Sequence, residues 1–380
     1  MNTPNLFQHT KTVVIKTNNL CNLKCTYCYD EDNLDRTTSI LNLTSIRSIL
    51  HELVSYSKPK DIEHLNLIWH GGEPLLMGID YYSKIVNIQK EFDFPFSNLL
   101  QTNATFINEK WIHFFKENNF KIGVSFDGSI SANKMHRQKT EKVLENIELL
   151  NKNSIFPSII CVISDLNYSL YKEMFDFLST VKTEYIDLIP CYENNQRYTL
   201  SDIHYQEFMI GMFDLWWGSD RKINFRVFTN IIDKMLGTIT SKDYITCSLT
   251  GRCGEIISIN SDKKIYFCDC LPKENKYSIG NLNEGLENIS KGKRYEHLIN
   301  TNKRSSNECT NCEYLSICGK GCLNRRLNNN HTNELRDYYC NSRKAIFNHI
   351  KEALEINKVC TNIVGIPAFT RGPQPYNSLN

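Results

Sequence analysis

The chain has 380 residues, 44 Lys and Arg against 42 Asp and Glu, and a hydrophobic share of 41%. That length holds two ordinary domains or one large α/β domain with an appendage, and balanced charge without a long basic run excludes the electrostatic footprint of a nucleic-acid binder. No stretch approaches the roughly 18 apolar residues of a membrane span, and the start MNTPNLFQHTK lacks a signal peptide's apolar core, so a cytoplasmic chain with no membrane partner is expected.

From residue 11 to about 216, six short apolar runs alternate with helical patterns. They are TVVIKT (12–17), LNLIWH (65–70), SNLLQTN (97–103), KIGVSF (121–126), SIICVIS (158–164) and YIDLIP (185–190). Between them, segments such as Ser45 to Leu53, Lys142 to Leu150 and Tyr171 to Leu178 repeat apolar residues at three and four spacing. This rhythm predicts βα units around a parallel sheet, with an active site at the carboxyl ends of the strands. Polar signatures fall at those ends: Cys21, Cys25 and Cys28; His70-Gly71-Gly72-Glu73-Pro74; Gln101-Thr102-Asn103; Ser125-Phe126-Asp127-Gly128; Ser164-Asp165-Leu166-Asn167.

From about residue 236 the rhythm stops and Cys, Gly, Asn and Lys become frequent through 340, which reads as a second domain held together by metal. An amphipathic stretch, Arg343 to Ile356, precedes a Pro- and Gly-containing tail, IPAFTRGPQPYNSLN, read as loose. The expected division is a barrel over 1–235, a cysteine-rich domain over 236–345, and a helix and tail over 346–380.

Fifteen cysteines, an odd count in a large unsignalled chain, cluster at metal-ligand spacings and not as a disulfide framework. In CNLKCTYCY, three thiolates can surround one metal centre. A four-iron cubane needs four ligands, so three leave one iron open to bind a small molecule. The alternative, buried or zinc-binding cysteines, would usually bring a fourth Cys or His close by, and within forty residues only His51 and His64 follow, neither of them near the run.

CNLKCTYCY, with Tyr27 before the third cysteine, resembles the C-x3-C-x2-C signature of radical SAM enzymes. In that family the open iron binds S-adenosylmethionine, which is cleaved to a 5'-deoxyadenosyl radical. The resemblance implies a partial (β/α)6 TIM-like barrel and the following cofactor contacts. Gly71-Gly72-Glu73-Pro74 looks like the GGEP motif that binds the methionine amino group. Ser125, Asp127 and Asn103 would lie near the ribose, and Arg137 would pair with the cofactor carboxylate.

CTNCEYLSICGKGC followed by Cys340 resembles the SPASM extension of peptide-modifying members, with a zinc ribbon as the alternative. The family's interleaved pattern implies two auxiliary clusters, one on Cys247, Cys253, Cys268 and Cys322, the other on Cys309, Cys312, Cys318 and Cys340, hence three [4Fe-4S] clusters in all. Cys161, Cys191, Cys270 and Cys360 fall outside the sets; most read as packing thiols, while Cys270 lies two residues from a ligand. Asp269, in YFCDC, matches the aspartate that takes a substrate proton in sulfatase-maturating members.

His70 stands where those enzymes usually have glutamine, and Asp30 where they usually have an aromatic residue. These departures, with the run WHGGEPLL, favour a maturase that abstracts hydrogen from a ribosomally made precursor peptide and installs a cyclophane-type crosslink. The alternative is an anaerobic sulfatase-maturating enzyme forming formylglycine from Cys or Ser; a third reading is a cluster-bearing electron carrier without catalysis. The partners expected are a peptide substrate and an electron donor such as flavodoxin or ferredoxin. With twenty residues before Cys21, recognition of a leader is expected to use the barrel, the second domain or another protein.

Overall fold

The computed structural model describes residues 6–7, 11–30, 38–192, 197–220, 222–239, 245–329 and 335–364. The tail read as loose lies outside them. In chain order the elements are β1 (Thr12–Lys16), α1 (Leu43–Ser57), β2 (Leu65–His70), α2 (Ile79–Gln89), β3 (Phe96–Thr102), α3 (Glu109–Glu117), β4 (Lys121–Ser125), α4 (Ile130–His136), α5 (Thr140–Lys152), β5 (Ser158–Ile163), α6 (Tyr171–Leu178), β6 (Ile186–Pro190), α7 (Asp202–Trp217) and α8 (Arg226–Leu236). They continue with β7 (Ile257–Ile259), β8 (Lys264–Tyr266), β9 (Ser278–Asn281), α9 (Lys293–Lys303) and α10 (Cys340–Val364), with shorter helical turns between. All six expected strands form, each end within one residue of its expected place. No helix among the described residues is long and apolar enough to cross a membrane.

The chain folds into two compact units. The first takes residues 1–125, 137–155 and 252–304. Its sheet runs β4-β3-β2-β1-β7-β8-β9; β1 to β4 and β7 are parallel, and the β7–β8 and β8–β9 pairs are antiparallel. Flanked on both sides, β1 is buried along its length, as a central parallel strand must be. β2 alternates buried and half-buried residues. Helix α1 starts where the Asn42 side chain accepts from the Ser45 N–H at 2.8 Å, and it buries Ile46, Ile49, Leu50 and Leu53. Strands β7 and β8 were not legible in the sequence. At three residues each they are too short to show a period of two, and they come from the region where the βα rhythm stops.

The second unit takes residues 126–136, 156–251 and 305–380. Here β5 pairs with β6 in parallel, and α10 packs on α7. Its polar keystone is Asp337, 4% exposed, which accepts from Arg325 Nε at 3.0 Å and Nη2 at 2.9 Å, from the Cys322 N–H at 2.7 Å and from the Tyr339 N–H at 2.9 Å. Burial would raise this carboxyl, but Arg325 holds it below the usual carboxylate range. Its stabilising contribution is therefore present above the unfolded pKa near 3.8 and is lost as pH falls through the lower folded value. Gly321, at φ +77°, lies so close that a Cβ there would come within 2.0 Å of the Asp337 carboxylate. Asp337→Asn leaves Arg325 without its counter-charge and is expected to cost about 2 kcal/mol at pH 7, read as a shifted urea midpoint of the cofactor-free chain. An unchanged midpoint would remove Asp337 from this role.

Candidate active site

Within the first unit, the carboxyl ends of β1 to β3 place the cysteine loop, the Gly-Gly-Glu turn and Asn103 on one edge of the sheet. Backbone bonds tie the first two: Gly72 N–H donates to Asn18 O at 3.0 Å and Glu73 N–H to Leu20 O at 2.7 Å. The glycines are demanded by this contact. Gly71 sits at φ +141°, and a Cβ on Gly71 or Gly72 would stand 2.3 Å from Asn18 O or 2.1 Å from Leu20 O.

Glu73 is fully buried. Its Oε1 accepts from Thr102 Oγ1 at 2.7 Å and Leu75 N–H at 2.9 Å, and Oε2 from Asn103 N–H at 2.8 Å. Burial outweighs these donors and pushes the carboxyl up to about 7. Asn103 turns its amide to Asn22 Oδ1 at 2.9 Å and lies 3.9 Å from Cys21 Sγ, linking β3 to the cysteine loop. Arg137 approaches Cys25 Sγ at 3.9 Å and lies over the Tyr27 ring, 5.2 Å from its centroid. Ser125 Oγ accepts from Gln101 Nε2 at 3.0 Å. Asp127 belongs to the second unit, where it is fully buried and accepts from Val162 N–H at 3.1 Å, which ties it to β5.

Asp269 also lies in the first unit, at the centre of an ionic cluster. Its Oδ1 takes Lys16 Nζ at 3.1 Å, Lys273 Nζ at 3.2 Å and Ser258 Oγ at 3.0 Å; its Oδ2 accepts from the Tyr29 hydroxyl at 2.8 Å. Lys16, 4% exposed at the end of β1, also pairs with the buried Asp30 and lies over the Tyr29 ring. Burial would raise Asp269, but Lys16 and Lys273, helped by His70 and the Tyr29 hydroxyl, hold it well below the usual carboxylate range. Burial would lower Lys16, yet Asp269 and Asp30 raise it above its ordinary value.

His70, beside Lys16 in the β1–β2 register, packs edge-on against Tyr29. Burial lowers its pKa, so the ring is neutral at pH 7. Nδ1 lies 2.7 Å from Gly71 N and 3.1 Å from Gly71 O, so the Gly71 backbone holds the ring in place. Sequence reading had picked out Asp269, Asp30 and His70 but missed Lys16, Lys273 and Ser258. A lone lysine ending the apolar run TVVIKT was the available signal.

No disulfide joins the described cysteines, and among the described residues no three His, Cys, Asp or Glu close on a single metal ion. The chemistry of the cysteine loop nonetheless fits a thiolate-ligated cluster. Burial pushes the Cys28 thiol up to about 12 and raises Cys21 as well, so these sulfurs ionise only when a cation replaces the proton. Backbone Leu23 N–H already points at Cys21 Sγ, 3.4 Å away. In the second unit Ser306 Oγ donates to Cys309 Sγ at 3.5 Å and Arg343 Nε to Cys318 Sγ at 3.4 Å, both donors suited to sulfur that carries negative charge. Of the other expected ligands, Cys253 and Cys268 lie in the first unit, and Cys247, Cys312, Cys322 and Cys340 in the second.

Comparison with known proteins agrees with this geometry. A family model described as the radical SAM superfamily matches residues 15–178, and the SPASM iron-sulfur cluster-binding domain matches residues 247–313. The cysteine-type anaerobic sulfatase-maturating enzyme of Clostridium novyi is 29% identical over 357 residues, covering 86% of this chain and 91% of the relative. The serine-type enzyme of Bacteroides thetaiotaomicron is 25% identical, covering 89% of each chain. Among solved structures, native anSMEcpe with bound AdoMet and Cp18Cys peptide superposes with a TM-score of 0.81 at 24% identity, over 93% of this chain and 99% of that one. Streptococcus suis SuiB bound to precursor peptide SuiA gives 0.61 at 17% identity, over 86% of this chain and 74% of that one. These structural likenesses show the fold alone: α/β, with parallel strands consistent with a partial barrel and a C-terminal SPASM domain.

Proposed function

The chain belongs to the radical SAM enzymes and carries a SPASM domain, and from that premise we propose that it oxidises a Cys or Ser side chain of a protein substrate to formylglycine. The observation that carries this reading is Asp269. Its Oδ1 is occupied by three donors while Oδ2 accepts only from Tyr29 among the described residues, leaving a lone pair for a substrate proton. The named relatives support the same reading over the crosslink expected from the sequence.

Cys21, Cys25 and Cys28 would hold the cluster with the open iron, and Glu73 would accept from the cofactor's amino group. S-adenosylmethionine bound there supplies the 5'-deoxyadenosyl radical able to take a hydrogen atom from carbon. Asp269 takes the proton from the thiol or hydroxyl, and one electron leaves the substrate. A serine gives the aldehyde directly, and a cysteine gives a thioaldehyde that water converts to aldehyde and hydrogen sulfide. Lys16, Lys273 and Ser258 fix the Asp269 carboxylate through Oδ1, and the Tyr29 hydroxyl orients Oδ2. Cys247, Cys253, Cys268 and Cys322 would hold one auxiliary cluster and Cys309, Cys312, Cys318 and Cys340 the other, making three. A flavodoxin- or ferredoxin-type protein would supply electrons.

The crosslinking reading keeps one specific observation. Asp30 and His70, the departures from the sulfatase-maturase pattern, both belong to the Asp269 cluster, so the groups beside the reacting side chain differ from those enzymes. The reconstituted, reduced protein given S-adenosylmethionine and Cys- or Ser-containing peptides decides between them. A hydrazine-reactive aldehyde at one residue is expected. Loss of two hydrogens with no fragments between two residues would establish the crosslink instead.

A further inference from the structure

Three of the four sulfurs expected to hold one auxiliary cluster meet donors or cations of the second unit. Arg343, 4% exposed, donates from Nε to Cys318 Sγ at 3.4 Å, and its Nη2 donates to Cys318 O and Ser248 O, each at 3.1 Å. The carboxylate acting on Arg343, Asp337, is already bidentate to Arg325. Arg336 and Lys344 act on the Cys340 sulfur as nearby cations, and Ser306 donates to Cys309. Glu308, which pairs with Arg336 and Lys344, supplies the opposing charge.

The cysteine loop of the first unit has the opposite surroundings. Asp30 acts on Cys28 and Glu73 on Cys21, with Arg137 the cation near Cys25. A cluster gains negative charge on reduction, so N–H donors on sulfur and nearby cations raise its potential, and carboxylates lower it. Carboxylates suit a centre that must reduce strongly; arginines suit one that must accept.

We propose that Arg343 and Arg336 raise the reduction potential of the cluster on Cys309, Cys312, Cys318 and Cys340, making it the acceptor of the electron released in substrate oxidation. Loss of two hydrogens from the substrate is one hydrogen atom, one proton to Asp269 and one electron; the electron takes that cluster from the 2+ to the 1+ state. The inference rests on those four cysteines forming one ligand set. Arg343 and Arg336 are positioning residues here, since they act on the potential through the sulfurs.

The test is a redox titration of the fully reconstituted chain followed by electron paramagnetic resonance. In Arg343→Gln and in Arg336→Gln, the reduced-to-oxidised ratio of one cluster at fixed potential is expected to fall about tenfold, which is about 59 mV for a one-electron couple, while the other clusters stay put. Arg343→Lys, which keeps the charge without the directed bond, is expected to fall between. Arg336 is more exposed than Arg343, so its variant tests the idea even where a buried substitution unfolds the chain. Unchanged potentials, or an equal shift of every cluster, would overturn the proposal. A Cys340→Ser protein that keeps its full iron content and all its signals would instead overturn the ligand set.

Discussion

Asp269→Asn is expected to lower aldehyde formation by a hundred- to ten-thousand-fold, the usual cost of losing a positioned base, while 5'-deoxyadenosine is still released. The amide preserves the local packing. Its oxygen can keep the place of Oδ1 facing Lys16, Lys273 and Ser258, and its nitrogen can face the Tyr29 oxygen. A carboxylate held this low is a weak base, yet it suffices, because taking a hydrogen atom from carbon makes the attached thiol or hydroxyl proton far more acidic. Its depressed pKa also fixes the pH dependence: Asp269 is held below the usual carboxylate range and stays ionised around neutrality, so no acid limb there should come from it. The check is a paired count of 5'-deoxyadenosine and hydrazine-trapped peptide in both proteins. Equal aldehyde yields from the variant would remove Asp269 as the base and leave it as an anchor for Lys16 and Lys273.

What sequence could and could not reveal follows from the range of the interactions. β1 to β6 were legible because each is an apolar run of at least five residues between turn-forming residues, and the cysteine loop because its ligands lie within eight positions. The Asp269 cluster joins residues 16, 29, 30, 70, 258, 269 and 273, a closure that needs the β1–β7 pairing beside the β1–β2 one. No local pattern announces such a pairing when β7 is three residues long. The Gly-Gly-Glu-Pro run was read as a cofactor-binding motif; the close approach that its glycines make is to the backbone of Asn18 and Leu20. Arg336 and Arg343 flank Cys340 in sequence, but the bond from Arg343 to Cys318 spans 25 positions and no local pattern announces it.

Glu73→Gln is expected to change two measurements that a second variant, Glu255→Gln, separates. Burial pushes both carboxyls up to about 7, against Thr102, Asn103 and Leu75 donors for Glu73 and Arg252 for Glu255. A folded-state pKa raised from 4.5 to about 7 gives stability that is full below 4.5 and is lost as pH rises to about 7, roughly 3 kcal/mol for each group. The cofactor-free chain should therefore lose stability between those pH values and hold level above them. Each variant should remove about half of that slope in urea titrations taken across the range. Only Glu73→Gln should also weaken S-adenosylmethionine binding, by about ten- to hundredfold, because the cofactor's amino group then loses a charged acceptor worth about 1.5–3 kcal/mol. Equal loss of binding in Glu255→Gln would mean that the effect passes through stability and not through the carboxylate beside the cysteine loop. Binding that survives Glu73→Gln undiminished would take the Gly-Gly-Glu turn out of the cofactor site altogether, leaving it as the buttress of the loop that its bonds to Asn18 and Leu20 already make it.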